Sequence, residues 1–222
     1  MKVLLIVAMK SELESFLNKL EYETIIVSGL VVYKTNINNV TLYIGKTEAG
    51  KVNAAMITTA LILKLKPSYV INAGIGGGLT SSLELLDVVA STKVAYHDFD
   101  LTAFGYKIGE LDDHTLYFNA SKKILSLLPD GVKKGLIVSG DQFVSGIDKM
   151  NKIKNDFKKA LVCDMEGAAI AHVATLLSKK FVIIRAISDN VYLPKHVDVY
   201  KDYKYLAIDK VSTIVINLLK SM

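Results

Sequence analysis

Short apolar runs alternate with longer stretches of helical spacing along most of the chain. Runs rich in β-branched residues predict strands, and apolar positions that recur every three or four residues predict helices. The predicted strands are residues 3–8, 24–28, 31–35, 40–45, 68–73, 87–95, 135–139 and 181–187. The predicted helices are residues 10–20, 51–65, 119–128, 148–158, 166–179 and 204–220. Because strands and helices alternate, we expect an α/β fold with a largely parallel sheet covered on both faces.

Two turn signals modify this picture near the N-terminus. Ser28-Gly29 and Asn38-Asn39 each separate two predicted strands, and such pairs are typical of antiparallel hairpins. The sheet is therefore expected to be mixed. No linker, repeat or low-complexity tract interrupts the pattern, so we predict one domain over residues 1–222.

The composition favours a densely packed protein. Hydrophobic residues make up 51% of the chain, and the mean hydropathy is +0.34. No apolar run approaches the roughly 18 residues needed to cross a bilayer. The first run, residues 3–9, lacks the small-residue cleavage site of a signal peptide. The single cysteine, Cys163, cannot form an internal disulfide, so we expect a cytoplasmic chain with no membrane partner.

The positive charge is of a kind that does not favour nucleic acid. The formal net charge is +5, yet only one of the 27 basic residues, Arg185, is an arginine. Arginine has the planar fork that grips phosphates and base edges, whereas lysine is a hydrated point charge. The lysines are also scattered along the chain. We expect a solvated basic surface and no nucleic-acid partner.

The segments that directly follow apolar runs are the most informative, because ligands of α/β sheets bind outside the carboxyl ends of strands. The segments in this position are residues 9–12, 72–78, 139–143, 164–167 and 186–190. The glycine run 74–78 lacks the third glycine of a dinucleotide fingerprint, since Leu79 stands there, and no Walker lysine follows. The run predicts either a close approach of the backbone to a ligand or a tight turn packed with glycines.

Carboxylates are the candidate chemical groups in these segments. Glu12 and Glu166 stand at the starts of predicted helices, where they fit either a binding site or a carboxylate stabilised by the helix dipole. Asp164 fits the N-cap of the second of these helices. Asp189 follows the apolar run 181–187, which places its carboxylate at a partly desolvated strand end; a turn at this point is the alternative.

Other chemistries find little support. The 4 histidines are dispersed, and a lone cysteine cannot build a zinc cluster, so we expect no metal site. No GxSxG motif presents a nucleophilic serine. The pattern therefore predicts carboxylate chemistry in an apolar pocket, without a cofactor.

Six segments, in order over most of the chain, resemble one known family. They are similar to those of bacterial 5′-methylthioadenosine/S-adenosylhomocysteine nucleosidases, within the nucleoside phosphorylase and hydrolase superfamily. The segments are residues 8–12, 50–55, 96–106, 135–141, 165–173 and 182–189. The resemblance implies a three-layer α/β/α fold with a central mixed, partly barrel-like sheet. It also implies hydrolysis of the N-glycosidic bond of 5′-methylthioadenosine or S-adenosylhomocysteine, which releases adenine in methionine salvage.

The resemblance implies a role for each carboxylate. Asp189 protonates N7 of adenine so that the base leaves as a neutral molecule, and Glu12 acts with the water that attacks the anomeric carbon. Glu166 holds the 2′ and 3′ hydroxyls of the ribose. Phe143 stacks on adenine, while the backbone of Val144 contacts the edge of the base. This division of labour suits glycoside cleavage, which needs an acid on one side of a cation-like sugar and an activated water on the other.

The resemblance also implies the walls of the site. The binding residues that it adds to Glu166 are Met9, Ala49, Ile75, Phe143, Val144, Met165, Arg185 and Ser188. Among them, Arg185 supports the water and Ser188 supports Asp189. Leu101 and Phe104 reach into the pocket of the neighbouring subunit, which implies a homodimer.

Three positions depart from the family pattern. Ile75 stands where the family usually has a serine, Glu48 where it usually has a glycine, and Asp112 where a proline often closes the thioalkyl pocket. These differences bear on substrate preference more than on reaction class. The aromatic residue expected over the ribose is Tyr200 or Tyr203.

Other functions of the same fold stay open. A purine nucleoside phosphorylase must bind phosphate, which such enzymes do with arginines near the N-terminus and mid-chain, and this chain has no arginine before residue 185. An aminofutalosine hydrolase would share most of the implied site. A non-catalytic nucleoside-binding protein would need neither Glu12 nor Asp189.

Overall fold

A computed structural model describes residues 1–190, 192 and 196–222. The strands are β1 (Lys2–Val7), β2 (Glu23–Val27), β3 (Leu30–Ile37), β4 (Val40–Lys46), β5 (Tyr69–Gly78), β6 (Val88–Tyr96), β7 (Phe118–Asn119), β8 (Lys133–Ser139), β9 (Ala160–Asp164) and β10 (Lys180–Asn190). The helices are α1 (Lys10–Leu17), α2 (Lys51–Leu65), α3 (Lys122–Leu125), α4 (Ile147–Asp156), α5 (Gly167–Leu176) and α6 (His196–Lys220), with a 3-10 turn at Thr102–Phe104.

The sheet is partly closed on itself. Strands β10, β6, β8, β9 and β5 are neighbours in that order, and a further pairing of β10 with β5 closes them into a ring. Strands β1, β4, β3 and β2 extend the sheet outward from β5. The two parts share β5 because this strand is long: its first half pairs with β1 and its last residues pair with β9. The predicted mixed, partly barrel-like sheet is confirmed.

Both predicted hairpins are present. β2 pairs antiparallel with β3, and β3 with β4. The turn residues Ser28, Gly29 and Asn38 have positive φ angles of 52°, 78° and 50°. Tight hairpin turns need such angles, because their backbone twist then matches the twist of the strands.

Helices cover the sheet in two pairs, α2 with α5 and α1 with α6. The inner strands are accordingly buried along their length, and Val3 to Val7 of β1 are fully buried. A strand covered on both faces needs a continuous apolar run rather than an alternating one. This is why the first apolar run of the sequence is a strand of the core. No helix in the part of the chain that the structure describes is long and apolar enough to span a membrane.

Some predicted boundaries are wrong. The predicted helix 119–128 is reduced to α3, because residues 118–119 pair with β6 and Ser121 caps the short helix. α1 and α5 end three residues earlier than predicted. α6 starts at residue 196 instead of 204. Its first eight residues are polar, β-branched or aromatic, and such residues carry little intrinsic helix signal.

Candidate active site

A pocket opens where β1, β5, β9 and β10 end. The predicted residues that line it are Met9, Glu12, Ala49, Ile75, Phe143, Val144, Met165, Glu166, Ser188 and Asp189. Further lining residues are Ala8, Gly76, Gly77, Gln142, Cys163, Asp164 and Tyr200. Strand ends that are distant in sequence therefore bring most of the predicted site together.

Glu12 lies in the first turn of α1, with both carboxyl oxygens held by backbone donors. Oε2 accepts hydrogen bonds from the N–H groups of Ala8 (3.0 Å) and Met9 (2.9 Å), and Oε1 accepts one from Ile75 (3.1 Å). The bond from Met9 caps the helix, whereas the bond from Ile75 crosses to β5. Burial raises the pKa of Glu12, against the opposing effect of these donors. The result is a fixed carboxyl group with increased affinity for a proton.

The glycine run accommodates carboxylates rather than forming a turn. Residues 74–78 continue β5 as a strand, so the tight-turn interpretation is wrong. A Cβ at Gly74 would overlap Oε1 of Glu12, and a Cβ at Gly77 would lie 3.3 Å from Oδ2 of Asp189. The backbone of β5 passes this close to both carboxylates because these two positions carry no side chain.

Asp189 lies near the end of β10, at a β-bulge. In the pairing with β5, Ile187 is opposite Gly76 and Asp189 is opposite Gly77, so Ser188 is the extra residue. A bulge redirects the side chains around it, and both Ser188 and Asp189 line the pocket. The Ser188 hydroxyl donates to Oδ1 of Asp189 at 2.8 Å. Asp189 and Asn190 are the last two residues of β10, so they extend the strand and do not form the alternative turn.

Glu166 occupies the N-cap position of α5 without capping the helix through its side chain. Its Oε1 instead accepts a hydrogen bond of 2.9 Å from the backbone N–H of Gly50. Burial, together with the nearby charge of Asp164, raises the pKa of Glu166 to about 7. Asp164 supports the start of α5, because its Oδ1 accepts from the N–H of Gly167 at 3.1 Å. This leaves Glu166 for the pocket.

Arg185 is 2% exposed and is not among the pocket-lining residues. Its Nη2 lies 2.7 Å from Oδ2 of Asp164 and also donates to the side-chain oxygen of Asn72. Its positive charge favours the ionised forms of Glu12 and Glu166, which partly offsets their burial. The single arginine of the chain is therefore a buried partner of Asp164 that acts on the site through its charge.

An aromatic pair forms one wall of the pocket. The rings of Phe143 and Tyr200 meet edge to face, with centroids 5.6 Å apart. The Tyr200 hydroxyl also lies 3.9 Å from the sulfur of Met9. Of the two tyrosines expected near the ribose, Tyr200 lines the pocket and Tyr203 does not. The early start of α6 places Tyr200 here.

Known proteins of one family match this chain along almost its whole length. The Phosphorylase superfamily sequence profile matches residues 2–220. A Glaesserella parasuis protein named 5′-methylthioadenosine/S-adenosylhomocysteine nucleosidase is 37% identical over 229 residues, covering 100% of this chain and 99% of that protein. The chain belongs to this nucleosidase family.

Solved structures of the nucleosidase family share the fold over its full length. The S. pneumoniae nucleosidase with the transition-state inhibitor MT-ImmA has a TM-score of 0.92 and 31% identity, covering 100% of this chain and 99% of that one. The Colwellia psychrerythraea nucleosidase in complex with adenine has a TM-score of 0.89 and 32% identity, covering 100% and 95%. The predicted nucleoside phosphorylase-like architecture is confirmed.

Some residues singled out by the nucleosidase-family pattern lie outside the pocket of their own chain. Leu101 is half-buried, and Phe104 is 77% exposed in the 3-10 turn. Glu48 is exposed and pairs with Lys46, so its side chain adds no bulk to the pocket. Asp112 is exposed and is not a lining residue either.

Cys163 and Gln142 line the pocket without a predicted role, and Asp164 was predicted only as a helix N-cap. Cys163 and Asp164 end β9, whose four-residue apolar run was not predicted as a strand. Asp164 stood in a predicted strand-end segment because it follows this run, but Cys163, the last residue of the run, was not included. Gln142 directly precedes Phe143 in a segment that follows β8. Burial raises the pKa of the Cys163 thiol, which keeps it protonated.

Proposed function

We propose that this pocket binds an adenine nucleoside with a 5′ thioether, 5′-methylthioadenosine or S-adenosylhomocysteine, and hydrolyses its N-glycosidic bond. The observation that carries the proposal is the pair of buried carboxyl groups, Glu12 and Asp189, packed against one glycine-rich strand. Inverting glycosidases likewise use two carboxyl groups, one as the acid and the other as the base that activates a water.

Asp189 is the acid in this reaction and donates its proton toward N7 of adenine. The hydrogen bond from Ser188 orients the carboxyl group, and the apolar enclosure strengthens a hydrogen bond to the base. Phe143 and the backbone of Val144 contact the adenine ring. Protonation matters because adenine leaves poorly as an anion.

Glu12 positions and activates the water that attacks the anomeric carbon. Three backbone N–H groups hold its oxygens, and a carboxylate has about four lone-pair sites, so one site is available to a water. The raised pKa brings the group closer to the neutral pH at which a general base is most effective.

Glu166 accepts hydrogen bonds from the ribose hydroxyls. The N–H of Gly50 uses one lone pair of Oε1, which leaves acceptor sites for both hydroxyls. Met9 and Met165 line the pocket beside it and suit contact with the sugar and its thioether, since methionine is a soft and adaptable side chain.

Water rather than phosphate is the nucleophile in this proposal. Four carboxyl groups line the pocket, Glu12, Asp164, Glu166 and Asp189, and none of the described lining residues is a lysine or an arginine, so the lining offers no cation to bind phosphate. The single arginine is already paired with Asp164, so it is not presented as the bidentate clamp that phosphate binding favours.

The test is release of adenine from 5′-methylthioadenosine in phosphate-free buffer. We expect free adenine and methylthioribose at a rate that added phosphate does not change, with an Asp189→Asn preparation as the inactive control. Adenine that appears only with phosphate, together with a sugar 1-phosphate, would show a phosphorylase instead. Kinetics on S-adenosylhomocysteine, 5′-deoxyadenosine and aminofutalosine alongside then define the preferred 5′ group.

We also propose that the active unit is a homodimer, in which Leu101 and Phe104 complete the neighbouring site. The exposed ring of Phe104 and the row formed by Val52 (79% exposed) and Met56 on α2 are large apolar groups at the surface, which are typical of interfaces. We further propose that residues 1–222 form one nucleoside hydrolase domain. A cytoplasmic location suits the single unpaired cysteine.

A further inference from the structure

The first turn of α2 is anchored to two other segments beside the pocket. The Nζ of Lys51 lies 2.7 Å from both carboxylate oxygens of Asp98 and 3.7 Å from Oδ2 of Asp141. The backbone N–H of Lys51 donates to Oδ1 of Asp141 at 2.8 Å. The backbone N–H of Asp141 in turn donates to Oδ2 of Asp98 at 2.8 Å. We call these three residues the Lys51 network.

Gly50, which directly precedes Lys51 in the sequence, holds a carboxylate of the pocket. The N–H of Gly50 donates to Oε1 of Glu166 at 2.9 Å. Gly50 has a φ of 99°, a backbone conformation that glycine adopts readily and other residues avoid. A Cβ there would lie 3.2 Å from Oδ1 of Asp141, so the network packs closely on this residue. The anchors of Lys51 therefore restrict the direction in which the Gly50 N–H points.

The ion pair at the centre of the network is partly sheltered from solvent. The side chains of Lys51 and Asp98 are 23% and 22% exposed, and the Lys51 ammonium also lies 5.5 Å from the centroid of the Tyr96 ring. Exposed pairs contribute little to structure because solvent screens them and their side chains stay mobile. The Lys51 ammonium contacts both oxygens of Asp98 and the face of the Tyr96 ring, and this arrangement is better suited to hold the two side chains in one geometry.

We propose that Lys51 and Asp98 are positioning residues for the reaction. Their ion pair holds the Gly50 backbone so that Glu166 presents its carboxylate to the ribose hydroxyls. Neither residue lines the pocket, so both act through Gly50 and Glu166. This inference rests on the proposed function of Glu166 as the group that binds the ribose diol.

The experiment compares two substrates in Lys51→Met. The substrates are 5′-methylthioadenosine and its 2′,3′-dideoxy analogue. The kcat/KM for each substrate is expressed relative to the rate constant for its spontaneous hydrolysis. We expect kcat/KM for 5′-methylthioadenosine to fall about 10- to 100-fold, since small misplacements of a positioning group have effects of this size. For the analogue we expect less than about a twofold change, because it has no hydroxyl for Glu166 to bind. Lys51→Arg keeps the cation and is expected to recover most of the activity.

Two further variants support the interpretation. Lys34→Met is the matched control, because it removes an ion pair of 2.6 Å between Lys34 on β3 and Glu23 on the neighbouring outer strand β2. This variant should leave kcat/KM for both substrates unchanged. Asp98→Asn weakens the network from its other side and is expected to show the same selective loss. It keeps the inference testable if Lys51→Met does not fold.

The results distinguish failure of this inference from failure of the proposed function. If kcat/KM falls equally for both substrates in folded variants, the Lys51–Asp98 pair stabilises the structure in general. If kcat/KM for 5′-methylthioadenosine does not fall, Glu166 is held in place without this ion pair. Either result refutes the positioning role. If the wild-type protein cleaves both substrates equally well, Glu166 does not bind the diol, and the proposed function of that residue fails first.

Discussion

Replacement of Glu166 by glutamine tests the electrostatics of the ribose side of the site. The side chain of Glu166 is buried, and its pKa is raised from 4.5 to about 7 by burial and by Asp164. The folded protein therefore holds this proton over a pH range in which the unfolded chain has released it. The pKa difference of about 2.5 corresponds to about 3 kcal/mol of unfolding free energy.

The sign of the effect follows from where the proton is bound. Below pH 4.5 both states are protonated, and the group has no effect on stability. Between pH 4.5 and about 7 the folded state binds more protons, so stability falls as the pH rises. Well above pH 7 Glu166 is ionised in both states, and the buried charge lowers the free energy of unfolding by its full amount. Between pH 5 and pH 8 this contribution changes by about 2–3 kcal/mol.

Urea unfolding of wild-type protein and Glu166→Gln at pH 5 and pH 8 measures this contribution. We expect the free energy of unfolding of Glu166→Gln relative to wild type to increase by about 2–3 kcal/mol between the two pH values, because glutamine cannot ionise. Glu14→Gln, at an exposed position on α1, is the control and should show no such trend. If the two proteins lose stability in parallel between pH 5 and pH 8, Glu166 is not a buried, proton-holding group and the reasoning is wrong.

Three other substitutions probe the acid, the glycine strand and the buried ion pair. Asp189→Asn should lower kcat by about 10²- to 10⁴-fold while a transition-state inhibitor still binds, measured by calorimetry; near-normal turnover would exclude Asp189 as the acid. Gly74→Ala should displace Glu12, since the added Cβ overlaps Oε1, and should reduce kcat by at least about tenfold; an unchanged rate would contradict this contact. Arg185→Met should leave Asp164 as an uncompensated buried charge and destabilise the fold by about 3–5 kcal/mol in urea unfolding; a loss below about 1 kcal/mol would contradict it.

Much of the fold could be predicted from local pattern. The strands near residues 3–8, 24–28, 31–35 and 40–45 were each predicted within three residues of their ends, because burial leaves a clear apolar period in the sequence. Helix α2 was predicted with both ends correct. Turn chemistry identified the two hairpins, and Ser28, Gly29 and Asn38 have the positive φ angles that tight hairpin turns need.

The candidate site was predicted less evenly. The strand-end rule and the family resemblance indicated Glu12, Glu166 and Asp189, and the structure brings all three to one pocket. Asp164 was predicted only as a cap and Arg185 only as a support for water. Their ion pair joins β9 to β10, strands that are not neighbours in the sheet. No local pattern encodes such a contact.

By itself, then, the sequence determined the elements, the mixed α/β class and the types of chemical group at the strand ends. These depend on side-chain period and turn preference, which are properties of neighbouring residues. Only the tertiary structure decided that β5 continues through its glycines and pairs with β10 to close the ring. The same pairing produces the bulge at Ser188 and brings Asp189 and Glu12 against one strand. Register between distant strands sets these positions, and register is decided by the packing of the whole sheet.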